Sequence, residues 1–325
     1  MSAKILRYSI LVCLAWLLTA CDSKVQAPAP SASYEVIDLM PDFWAFWRAA
    51  EGQPIPKQQE LLNSMLVQRH PEVYTADVLT LDKDVPLEAA FSARYERWLP
   101  LISPHIQTME NVSARIAADL PQYESSFRAV FPDMNYAGRV YFLCSFGGFD
   151  GAVRTVNGSR ALLFGVDMIS YVYGEHADAQ PFFHHELFHI YHSQFLPEDD
   201  ERLFLSLWRE GLATYVAKSL NASAAGVNLF GLPLDMPQRA QALLPQLARE
   251  LRENLDSTSP DVYAKFFFGK SDSADASARS AYYVGYLLAQ KVGEGKSLRE
   301  LARMPPADVR VALERGLREL ETVPP

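Results

Sequence analysis

Apolar residues along the chain follow two periodicities. From Asp38 the spacing is helical: Phe43, Trp44, Phe46 and Trp47 open one helix, and Gln58 to Gln68 a second with Leu61, Leu62, Met65 and Leu66 on one side. Pro86 to Trp98 and Ile106 to Leu120 continue the pattern, with Pro100, Pro104 and Pro121 as punctuation. The texture changes at Gly138, where Val140, Phe142 and Cys144 alternate with Tyr141 and Leu143 in a β-rich run that stops at Gly147-Gly148. A second run, Ala161 to Met168, follows Asn157-Gly158, the dipeptide best suited to a two-residue hairpin. Helical spacing then returns between Pro181 and Pro197, over about Asp199 to Asn221, and in Leu243 to Leu255, Ala278 to Val292 and Asp308 to Leu320. With no internal repeat and one change of texture, the pattern predicts a mainly helical α+β domain over 36–325, its helical lobes set around a small sheet of two to four strands.

The first twenty residues do not belong to that domain. Lys4 and Arg7 precede an apolar core from Ile10 to Leu18, the layout of a processing signal. Leu18-Thr19-Ala20-Cys21 resembles the lipobox of bacterial lipoproteins, which implies cleavage before Cys21 and lipid on that residue. Asp22 beside it resembles an inner-membrane retention signal, so the resemblance implies a cell-envelope protein, lipid-anchored and facing the periplasm. A plain signal peptide or a single anchor helix is the alternative, for which the apolar run is short. The stretch from Cys21 to residue 35 is rich in Ala, Pro and Ser and reads as a flexible tether.

Removal of the signal also settles the cysteines and the charge. Cys13 leaves with it and Cys21 takes the lipid, so Cys144 has no intramolecular disulfide partner and the core must hold the fold unaided. The formal charge of −9 becomes −11 once Lys4 and Arg7 are gone. An acidic chain without a basic cluster argues against nucleic acid as a partner, and leaves the lipid anchor as the membrane contact.

The chemistry is concentrated in His185-Glu186-Leu187-Phe188-His189. Residues four apart share one helical face, so both imidazoles reach one ion, while Glu186 leans over the open coordination position as a base. Twenty-one residues beyond His189, Trp208-Arg209-Glu210-Gly211-Leu212-Ala213 offers a carboxylate. Leu203, Leu207, Glu210 and Thr214 share one face, which turns that carboxylate inward, and His185, His189 and Glu210 together make one of the standard ligand sets of catalytic zinc. Gly211 beside the ligand is best explained by close approach of a neighbouring element. His192 lies too far along the helix axis from His185 to share the ion, His184 points away from it, and Glu198 to Glu201 read as helix-start charges.

These residues resemble the gluzincin metallopeptidases, whose pattern is H-E-x-x-H followed some twenty or more residues later by a Glu, often as E-G-x-A. The match covers roughly His184 to Ala217, and Phe266-Phe267-Phe268-Gly269 and Tyr282-Tyr283-Val284-Gly285-Tyr286 echo the aromatic-Gly loop and Tyr-rich helix of the bacterial families described as predicted zinc-dependent proteases. The resemblance implies a zincin-like domain whose sheet lies beside the zinc helix, zinc as cofactor and a peptide or protein as substrate. It also implies a Tyr or His that stabilises the oxyanion, for which Tyr283 is the first candidate, Tyr282 the second and Tyr286 the third; all three could instead be packing residues. The strand before the zinc helix would pair with substrate, which points to Leu163 to Val166 or leaves that segment an ordinary interior strand. Thermolysin-like members carry an Asp four residues after the ligand Glu, where this chain has Thr214, so a different group must orient the first zinc His. The reading from another functional class is a lipoprotein that uses zinc structurally or acts as a scaffold without hydrolysis.

Overall fold

Val140 to Leu143 are buried throughout, the composition of a strand covered on both faces, and they lie inside the sheet. The computed structural model describes residues 34–174, 179–197, 200–224, 226–268 and 277–322. Its sheet has four strands, β1 (Glu35–Asp38), β2 (Arg139–Leu143), β3 (Gly151–Val156) and β4 (Ser159–Gly165), in the order β1-β2-β4-β3. β1, β2 and β4 are parallel, and β3 runs antiparallel to β4 at the edge. Asn157 and Gly158, with φ of 48° and 74°, close the hairpin between them. Both residues are left-handed, as the mirror-image turn of a two-residue hairpin requires.

Helices fill the rest of the described chain. Between β1 and β2 lie α1 (Met40–Ala50), α2 (Ile55–Leu62), α3 (Leu87–Ile102) and α4 (Ile106–Val130). After β4 come α5 (Val166–Tyr173), α6 (Ala179–His192), α7 (Leu203–Leu220), α8 (Gly226–Phe230), α9 (Met236–Ala242) and α10 (Leu244–Glu253). The chain then forms α11 (Pro260–Phe267), α12 (Ser280–Val292), α13 (Leu298–Ala302) and α14 (Pro306–Leu320). The protein is therefore α+β and mainly helical. The signal and lipobox, Cys21 included, lie outside the described residues, as do Gly269 and most of the segment 270–277. Among the described residues no helix is long and apolar enough to cross a membrane.

Several elements depart from the sequence-based expectation. The tether gives way at Tyr34, which is buried, and Glu35 already opens β1. Pro121 does not end a helix: α4 runs through it, because Met109, Val112, Ile116, Leu120, Tyr123 and Phe127 form one continuous buried stripe. That packing outweighs the cost of about 3 kcal/mol for an interior proline. α7 begins at Leu203, and Asp200 does not cap it; its carboxylate accepts from the Arg202 main-chain N–H and guanidinium instead. Leu163 to Val166 is not an edge. The hairpin returns β4 to the middle of the sheet, Val166 starts α5, and β3 takes the outer position.

Two interior contacts fix the parts that matter for the site. Asp167, fully buried in the first turn of α5, accepts from the Ser145 and Gly147 main-chain N–H groups at 2.7 and 2.9 Å, from the Ser145 hydroxyl at 3.0 Å and from the Trp98 indole at 2.9 Å. This ties down the loop that leads from β2 to β3. At the other contact, α7 crosses α12 through Gly211 and Gly285: a Cβ on Gly211 would lie 2.2 Å from the Gly285 carbonyl carbon, and one on Gly285 would lie 2.6 Å from the Leu207 oxygen. Only glycine permits that approach, and it brings α12 against α7 one residue from Glu210. Gly285→Ala therefore forces two backbones apart and should lower stability by about 1–3 kcal/mol in urea unfolding; an unchanged midpoint would contradict the crossing.

Candidate metal centre

α6 is buried almost all round, lying on α7, α4 and β3, and this packing holds its one polar face against α7. His185 and His189 stand on that face and Glu210 meets them from α7. The two Nε2 atoms are 2.9 Å apart, and the Glu210 Oε2 is 3.3 Å from the Nε2 of His185 and 3.4 Å from that of His189. A tetrahedral ion with bonds of about 2.0–2.1 Å holds its ligand atoms roughly 3.3–3.4 Å apart. The carboxylate-to-imidazole distances match that spacing and the imidazole pair is slightly tighter. Two nitrogens and one oxygen converging at this separation could hold a metal ion, and they form the one such group among the described residues. Burial alone would raise the Glu210 carboxyl, but the charge of His189 and hydrogen bonds to both imidazoles outweigh it and hold the group well below the usual range. It is thus ionised.

Glu186 sits one residue round the helix in the same cleft, 8% exposed. Burial raises its carboxyl to about 7, with Asp150 and Glu210 adding to the rise while His185 and Arg154 oppose it. Its room is made by Gly151, the first residue of β3: a Cβ there would lie 2.4 Å from the Phe182 ring and 2.8 Å from the Glu186 carboxylate. Asp150 is in turn fixed, accepting from the Tyr173 hydroxyl at 3.0 Å and from the Gly151 N–H at 2.9 Å. The cleft, of about 430 Å³, is lined by β3 on one side and reaches α8 and α12 on another. Asp150, Gly151, Arg154 and Arg279 belong to it and were not singled out by sequence reasoning. The only signal for Gly151 is its place after Asp150 at the start of a strand.

The tyrosines divide differently from the expected order. Tyr283, the first candidate, does not line the cleft; its hydroxyl donates to the Gln241 side chain at 2.8 Å and its ring packs on Phe230. Tyr286 packs on Tyr215 and Phe230. Tyr282 does line the cleft, and burial, then the Glu210 charge, push its hydroxyl well above the ordinary tyrosine value, so it stays protonated. The helix turn explains the split, since neighbours on a helix point about 100° apart.

The remaining polar residues have structural roles. Asn221 donates to Nδ1 of His184 at 2.8 Å, which leaves the proton on Nε2 to donate to the Tyr123 carbonyl at 3.0 Å, so His184 joins α6 to α4 and to the end of α7. His192 is buried against Phe188 and lies outside the ligand group, its imidazole kept neutral by burial. Thr214 donates to the Glu210 carbonyl at 2.9 Å, and Nδ1 of His189 is buried with no hydrogen-bond partner among the described residues.

Two outcomes follow for the purified chain. Divalent metal should bind at about one ion per chain and raise the unfolding free energy by about 2.7 kcal/mol at a hundredfold excess over the dissociation constant, an effect that His189→Ala and Glu210→Ala abolish and Glu186→Gln retains. In chelator, the raised carboxyl of Glu186 binds its proton more tightly folded than unfolded, so its contribution favours the folded state below the unfolded value and is lost as pH rises from about 4.5 to about 7. Urea midpoints should show that loss in wild type relative to Glu186→Gln, whose stability lacks this component. Comparison with family models, curated proteins and solved structures found no match for this chain.

Proposed function

We propose that this chain is a zinc-dependent peptidase of the gluzincin type with a zincin-like catalytic domain, carried on the outer face of the bacterial inner membrane by lipid on Cys21. The observation that supports it most is the convergence of His185, His189 and Glu210 at ligand spacing with a buried, proton-binding Glu186 beside them in an open cleft. Two imidazoles and a carboxylate suit zinc, and three protein ligands leave a coordination position free, unlike the closed four-ligand structural sites. Zinc there would supply Lewis acidity toward water and the scissile carbonyl.

The chain's own groups provide the rest. Glu186, whose carboxyl titrates near neutrality, takes the proton of the attacking water and delivers it to the leaving amine. The Tyr282 hydroxyl, protonated and facing the cleft, donates to the oxygen that gains charge in the transition state. β3 pairs with β4 alone among the described strands, so its outer edge can accept an extended peptide as a further strand, with Gly151 keeping that edge low beneath Glu186. The lipid anchor rests on the lipobox resemblance, and the tether would give the domain reach from the membrane.

A peptide-library assay on the zinc-loaded domain tests the reading. Glu186→Gln should keep the metal and lose hydrolysis. Tyr282→Phe should lower kcat by about 10²-fold with little change in KM, and Tyr283→Phe should leave both near wild type. Full turnover by Glu186→Gln would remove the mechanism; absence of any cleaved peptide would favour a non-catalytic zinc protein.

A further inference from the structure

Arg279 is a half-buried cation with no carboxylate at ion-pair distance among the described residues. It caps α12 in the left-handed region, with φ of 58°, a conformation that costs a long side chain of order 1–3 kcal/mol, and it lines the cleft that holds the ligand group. Its guanidinium lies 4.4 Å from the centre of the Tyr282 ring, one Nη donates to the Phe230 carbonyl at 3.3 Å, and Nε is buried with no partner. Among the described residues no carboxylate comes within ion-pair distance of it, although Asp150 and Glu210 share the cleft. The contrast with other partly buried arginines is sharp. Arg128, Arg252 and Arg310 each hold a carboxylate.

A guanidinium presents five N–H donors in a planar fork, and one taken out of water without an anion leaves most of its solvation unreplaced. A second cation faces the same space. Arg154, on β3, donates to its own Val153 carbonyl at 3.0 Å and likewise has no carboxylate at ion-pair distance among the described residues. In a chain of net charge −9, Arg279 and Arg154, without ion-paired carboxylates among the described residues in the cleft that carries the candidate ligand group, mark a place for negative charge brought from outside. The planar fork of Arg279 suits a carboxylate, which can accept two parallel hydrogen bonds from it.

We propose that Arg279, assisted by Arg154, is the binding site for a substrate carboxylate, so that the cleft takes peptides with a free C-terminus or an Asp or Glu side chain near the scissile bond. The assignment of the bound molecule as a peptide rests on the peptidase reading; the carboxylate site does not.

The test uses the zinc-loaded Glu186→Gln chain, which binds without turning over, and fluorescent peptides in matched sets: free acid against C-terminal amide, and Asp or Glu against Asn or Gln. The carboxylate form should bind roughly tenfold to a hundredfold more tightly than its neutral isostere, and which pair shows the difference identifies the source of the carboxylate. Arg279→Gln should erase the difference, and Arg279→Lys, which keeps charge but not the fork, should retain part of it, with circular dichroism melting confirming that each variant folds. Because the peptide pairs are also compared on the chain with Arg279 intact, a misfolded variant does not remove the test. Equal affinity for acid and neutral peptides, or no binding of either, overturns the proposal. Hydrolysis by wild type without carboxylate preference would sink this proposal and leave the peptidase standing, while carboxylate-selective binding without hydrolysis would do the reverse.

Discussion

A carboxylate taken out of water must be met by positive charge, and Glu210 is the residue on which that constraint falls. It projects from the inward face of α7, where, among the described residues, His185 and His189 stand within 3.4 Å to answer it as ion-pair partners. The helix that carries it meets α12 at a glycine-on-glycine crossing one residue further on, which fixes α7 beside the site. α6 is held as firmly by its apolar faces and by His184, whose ring is hydrogen-bonded on both nitrogens. The result is a cradle of two nitrogens and one oxygen whose mutual spacing could hold a divalent cation.

The same packing separates two carboxylates of one kind into two states. Glu210, beside the imidazoles, is held ionised, whereas Glu186, covered by Phe182 and Gly151 and repelled by Asp150 and Glu210, holds its proton up to neutral pH. The proposed ligand and the proposed base need that difference, and it arises from position alone.

That His185, His189 and Glu210 come together was legible in the sequence because helical spacing is a strict rule: a spacing of four on α6 and an inward stripe on α7 leave little freedom. Gly211 was legible for a similar reason, since a glycine inside a helix beside a buried charge calls for a close neighbour, and Gly285 is that neighbour. What could not be read were properties set by tertiary arrangement. The hairpin signal at Asn157-Gly158 was plain, but not that the chain would visit the sheet edge first and then turn inward, which moved the edge from Leu163–Val166 to Gly151–Val156. β1 escaped because four residues, mostly exposed or half-exposed, carry almost no periodicity. Among the tyrosines a single step round α12 decides which ring meets the cleft, and no pattern within the sequence fixes that rotation. Pro121 misled because a stripe of six buried residues outweighs one missing hydrogen bond.

The loop between β2 and β3 has a further meaning through Asp167. With four donors converging on one interior acid, the segment that delivers Asp150 and Gly151 to the cleft is set in place by the core itself. One wall of the groove is therefore a preset template, shaped by an acid buried in the interior and not by anything the groove itself contains.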